Sequence, residues 1–158
     1  MLGSLFCALG KAFGYQCPSQ SDITKPDITF YELDSSIVLS ELKEMGLTIL
    51  RGGLLDRKYY YTTLWGIKEA VKYVRKVYPF PKYQAEKTDC DDFAILMKGL
   101  LSAEFGINDV GINFGDSPMG YHAFNVARIE DRRVIIEPQT GEVFEIGERG
   151  YIPREVLQ

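Results

Sequence analysis

TDCDDFAILMKGLL, residues 88–101, sets a cysteine directly ahead of two aspartates at the start of an apolar run. Phe93, Ile95, Leu96, Leu100 and Leu101 recur at helical spacing, Asp89 offers an N-cap and Gly106 a stop. The pattern predicts a helix over residues 90–105 with a broad apolar stripe. It is the most hydrophobic helix in the chain, so the fold is expected to be built around it. A cysteine in its first turn lies at the positive end of the helix macrodipole, which favours the thiolate. Asp91 and Asp92 oppose that effect unless helix geometry turns them aside or a cation compensates them, because adjacent side chains diverge by about 100°.

Upstream, ELDSSIVLSELKEMG (32–46) and TTLWGIKEAVKYVRKVYPFP (62–81) carry apolar residues at helical spacing, closed by Gly46 and by Pro79 and Pro81. Between them, residues 47–63 read as a turn at Gly52-Gly53 followed by a tyrosine-rich extended segment. Downstream come three extended stretches, NDVGINFG (108–115), YHAFNVARIE (121–130) and RRVIIEPQTGEVFEI (132–146), with turns near Asp131 and at EPQTGE. Alternation along the middle one puts His122, Phe124, Val126 and Arg128 on one face and Ala123, Asn125, Ala127 and Ile129 on the other. Both faces are mostly apolar, so the strand is expected to be covered on both sides. Helices first and an antiparallel sheet second point to an α+β domain with the Cys-bearing helix packed on a C-terminal sheet. Residues 1–29, with the loop-like PSQSDITKPDIT, are expected to form an N-terminal arm and linker, and residues 30–158 a single domain.

Composition narrows the function. Of 158 residues, 46% are apolar and 25% charged, as in an ordinary globular protein. A net charge of -4 and a pI near 5.1 argue against a nucleic-acid binder that works by neutralising phosphates. Lys68, Lys72, Arg75 and Lys76 read as one solvated helix face. No run of about 18 apolar residues offers a membrane span, and the first residues lack the pattern of a secretory signal, which leaves a cytoplasmic or particle-associated location as the expectation. Three cysteines, Cys7, Cys17 and Cys90, suit a reducing compartment better than a disulfide framework.

The one histidine, His122, starts a strand, and Glu137 ends the next. A helix-initial thiolate, a strand histidine and a carboxylate on the paired strand make a buildable triad for acyl transfer. Cys-Asp-Asp-Phe-Ala, then Tyr-His-Ala-Phe-Asn-Val, then Ile-Ile-Glu-Pro-Gln-Thr resembles, over residues 84–140, the transglutaminase-like and papain-like cysteine protein superfamily. In motif it is closest to the Cys-His-Glu protease domain of a mushroom agglutinin. The resemblance implies a papain-like fold, Cys90 as nucleophile, His122 as base, Glu137 where aspartate is usual, and Gln84, six residues before the cysteine, in the oxyanion hole. It implies a peptide or protein amide substrate, no required cofactor, and Ca²⁺ as an optional ligand of Asp91 and Asp92. The expectation is a cysteine hydrolase or acyltransferase. The alternative is a non-catalytic transglutaminase-like module for binding or assembly, its N-terminal arm docking on a partner or on a second copy.

Overall fold

The computed structural model describes residues 23–50 and 54–158. The N-terminal segment that holds Cys7 and Cys17 therefore lies outside the described residues. Strand β1 (Phe30–Asp34) leads into helix α1 (Ser35–Glu44), and the short β2 (Thr48–Ile49) and β3 (Lys58–Thr62) precede α2 (Leu64–Val77) and α3 (Cys90–Phe105). Then come β4 (Val110–Ser117), β5 (Gly120–Ile129), β6 (Arg132–Glu137), β7 (Glu142–Glu145) and β8 (Ile152–Leu157). The protein is α+β, with three helices on one curled sheet among the described residues.

All three expected helices form. Thr63 caps α2 by accepting the Gly66 N–H, and Gly106, at φ 71°, closes α3 in the left-handed conformation. The sheet departs from the expectation of a purely C-terminal, antiparallel array. Strands from the first half of the chain join it in the order β1-β3-β5-β4-β8-β2, with β6 and β7 added beside β5. Two of the pairings, β2 with β8 and β3 with β5, are parallel. No strand was expected beyond residue 146, and β8, which carries Pro153, lies there. The structure accommodates that proline where the β4–β8 register shifts, at Gly115.

Strand β5 is covered on both faces, as its alternation requires. Ala127 and Ile129 pack with Ile67, Val71 and Val74 of α2 and Met97 and Leu101 of α3 in the largest buried cluster. Phe124 and Val126 face the other way, against Ile135, Phe144 and Tyr151. Asn125 points toward α3, donating to the carbonyls of Ala94 and Gly111 at 3.0 and 3.2 Å. It fixes the first half of the helix on the sheet. Ile28, at the end of the expected linker, is buried in the main core.

A charged network closes the side of the sheet under α1. Fully buried Asp109 accepts from Arg133 at 2.9 and 3.2 Å and from Gln158 at 2.8 Å, while Glu41 of α1 pairs with both Arg133 and Arg128. Each buried charge is thereby paired, the condition under which burial is tolerated. Arg75 is not part of a solvated face. It donates to the Pro138 carbonyl at 2.5 Å and lies over the Phe80 ring. Gly141, at φ 80°, makes room for it, since a Cβ there would stand 2.4 Å from the arginine's Cδ.

Candidate functional site

The residues expected to act together stand where β5 begins and β6 ends, and at the mouth of α3. At the first, His122 and Glu137 are 6% and 4% exposed, and His122 Nε2 lies 2.9 Å from Glu137 Oε2. Tyr151 donates its hydroxyl to the same oxygen at 2.9 Å, and the Gln139 N–H reaches Oε1 at 3.0 Å. Burial, and then the Glu137 charge, push the Tyr151 hydroxyl up to about 12, so it stays a donor throughout the neutral range. The Arg75 guanidinium faces Glu137, while burial holds its own pKa below the usual arginine value. The imidazole is boxed by Phe124 and Tyr151, with ring centroids 6.3 and 6.1 Å away.

Strand packing explains why Tyr151 arrives there. Gly115 pairs with His122 across β4 and β5, and a Cβ on it would sit 2.1 Å from the Ile152 carbonyl. Only a glycine lets β8 approach this closely, and β8 is what delivers Tyr151. The sequence reading missed this tyrosine because its strand was hidden by Pro153. Buried Tyr151 and Pro153 alternate with exposed Ile152 and Arg154, a period of two that was the available signal.

The second arrangement is the mouth of α3. Cys90 is half-buried and packs against the Ala94, Ile112 and Ala123 cluster. Its sulfur and one carboxylate oxygen each of Asp89 and Asp91 all lie within 4.8 Å of one another. A hydrogen bond to Asp89 raises the Asp91 pKa, with burial adding to it, and the same bond lowers that of Asp89. Asp92 turns away from the thiol and accepts the Asp89 N–H at 3.2 Å, the return arm of a capping box. The acidic pair beside the cysteine is thus Asp89 with Asp91.

Gln84 is exposed and shares the turn ahead of the helix. Its N–H donates to the Thr88 carbonyl at 2.8 Å, and the turn carries Glu86 at φ 59°. Among the described residues no hydrogen bond joins Cys90 to His122 or to Gln84. Alternation sends His122 to the face that holds Phe124 and Tyr151, whereas its neighbour Ala123 faces α3 beside Cys90. Trp65 is 59% exposed on α2, and Met119 and Tyr121 stand exposed at the β4–β5 turn.

As a calcium site the helix mouth fits poorly. It offers two carboxylate side chains and a soft sulfur, where calcium takes six to eight oxygens. Among the described residues no helix is long and apolar enough to cross a membrane.

No family model matches the chain, and no curated protein does. Solved structures share its fold. One is described as a PSL1a-E64 complex, at 22% identity and a TM-score of 0.62 over 80% of this chain. Another is Polyporus squamosus lectin bound to the epitope Neu5Aca2-6Galb1-4GlcNAc, at 18% identity and a TM-score of 0.51 over 78% of this chain. The chain spans about half of each, 51% and 49%. The lectin is described with a glycan rather than a peptide. That corrects the expectation of a cysteine hydrolase or acyltransferase with a catalytic triad. The fold of this chain is one it shares with Polyporus squamosus lectin.

Proposed function

We propose that the chain is a non-catalytic binding module for a glycan, carried on a papain-like or transglutaminase-like framework. The fold shared with a lectin described in complex with a glycan epitope carries this reading. Glu137, which accepts from Tyr151 and Gln139 and pairs with His122 Nε2, serves the framework by tying β5 to β6 and to the start of β8. The test is an array of immobilised neutral and sialylated glycans probed with the labelled protein. Retention on at least one glycan class, unchanged in Cys90→Ala, is expected. A blank array, or retention lost with Cys90→Ala while the fold persists, overturns the reading.

A second reading attaches to the acidic pair. Asp89 and Asp91 would hold a divalent cation only loosely, mostly through water, and no part of glycan binding is routed through it. Melting temperatures in excess Ca²⁺ and in chelator are expected to agree closely. A large calcium-dependent rise would restore calcium as a structural ligand.

A further inference from the structure

We propose that the outer edge of β1 takes an extended, arginine-bearing segment of a partner protein as an added strand, with the arginine stacked on Tyr31. This does not depend on the glycan reading, and either can fail without the other. Strand β1 ends the sheet order, with no strand beyond it among the described residues. Such an edge presents backbone N–H and C=O groups in a row, and an extended peptide meets them in series.

A row of side chains across the sheet says which residue that strand should carry. Cross-strand partners share a face, so Tyr31 stands beside Tyr61, its register partner on β3, with ring centroids 5.3 Å apart and planes 27° apart. Strand β5 flanks β3 on the other side, and its Arg128 guanidinium lies over the Tyr61 ring at 4.9 Å while pairing with Glu41. The inner end of the row is therefore an arginine held by an aromatic face and a carboxylate. At the outer end the ring and the carboxylate recur. Tyr31 is 42% exposed, and among the described residues no cation lies over it. Glu130 lines the same cleft of about 700 Å³ as Tyr31 and Tyr61. The cation of that lining, Arg132, is paired with Glu145 and Asp131, and Glu130 has no ion pair among the described residues. A residue set opposite Tyr31 on an added strand falls on the same face, in line with the row. Guanidinium is the group that fits there, a flat cation that stacks on a ring and donates as a fork to a carboxylate.

Charge separates this edge from self-association and from the other acidic edge. Strand β1 carries Glu32 and Asp34, and Lys58 bridges both at 2.9 and 3.1 Å. A second copy of β1 would bring the same carboxylates to the edge, whereas a basic segment offsets them. Strand β7 pairs only with β6 and carries two glutamates, but Arg149 pairs with Glu142 and covers the Phe144 ring, and Arg132 pairs with Glu145. There the chain supplies the arginine itself.

The test follows amide shifts of the ¹⁵N-labelled full chain on titration with acetyl-Thr-Val-Arg-Val-Thr-amide. Its controls are the citrulline form, which keeps the shape and removes the charge, a form N-methylated along the backbone, which cannot pair as a strand, and acetyl-arginine-amide alone. Shifts at residues 30–34, 61 and 130–132 are expected with the arginine peptide, and binding about tenfold weaker with citrulline. Tyr31→Ala should weaken the arginine peptide about threefold, with Tyr31→Phe close to the parent. Glu130→Gln should weaken it about threefold as well. Equal binding of the citrulline peptide overturns the arginine assignment. Equal binding of the N-methylated peptide, or of acetyl-arginine-amide, overturns strand addition. Shifts confined to other parts of the sheet overturn the place, and the absence of any shift overturns the proposal.

Discussion

The corner of His122, Glu137 and Tyr151 and the mouth of α3 hold the residues that one triad would need, and they differ in almost every physical respect. The first is buried, and its carboxylate takes three hydrogen bonds with an arginine nearby. The second is half open, with a hydrogen bond between two carboxyl groups beside the thiol. A carboxylate surrounded by donors is a structural fixture, whereas the helix mouth stands open to solvent. The same three residue types therefore read as a reacting set in sequence and as two unlike environments in space.

The contrast breaks most readily at Glu137. Glu137→Ala leaves the His122 ring, the Tyr151 hydroxyl and the Gln139 N–H without their acceptor, and should destabilise the protein by about 3–5 kcal/mol in urea unfolding. If the loss is below about 1 kcal/mol, the corner is not the fixture described.

Lys98, on the same helix as Cys90, provides the next largest effect. Burial lowers its pKa to about 8, and its ammonium is held by the carbonyls of Val110 and Asn108. Between that value and the ordinary 10.5, the unfolded chain binds a proton that the folded one has released. Stability must therefore rise with pH in this window, by about 2 kcal/mol from pH 8 to pH 10. Lys98→Met should flatten that rise, and an unchanged pH slope in the variant would assign it elsewhere.

Tyr151→Phe removes one donor from Glu137 and keeps the ring packing. A loss of about 1–2 kcal/mol is expected, as for a hydrogen bond to a buried charge. At the helix mouth the expected stability effect is smaller still. Asp89→Asn combined with Asp91→Asn should leave the melting temperature close to the parent's and speed iodoacetamide alkylation of Cys90 severalfold at pH 7, measured by mass spectrometry. An alkylation rate indifferent to the two charges would dissolve the comparison.

Much of the helical part was legible in the sequence. The stripe from Phe93 to Leu101, with Asp89 before it and Gly106 after it, bounds α3 as found, because helix formation answers to near neighbours. The facing of β5 was equally readable, since alternation is a local property. Less legible were β1 and β8. The first is a largely exposed edge strand of five residues, and the second carries a proline that the shifted register beside Gly115 accommodates.

By itself the sequence determined three helices, the alternation of β5 and the nearness of Glu137 to His122, all set by spacing along the chain or across one hairpin. Only the tertiary structure decided which groups share an environment. It turned Asp91 toward Asp89 instead of Asp92, brought Tyr151 to Glu137 through β8, drew Arg75 inward under Pro138, and stacked Tyr31 on Tyr61 beside Arg128. Such choices depend on contacts between residues up to 67 positions apart, and local periodicity does not encode them.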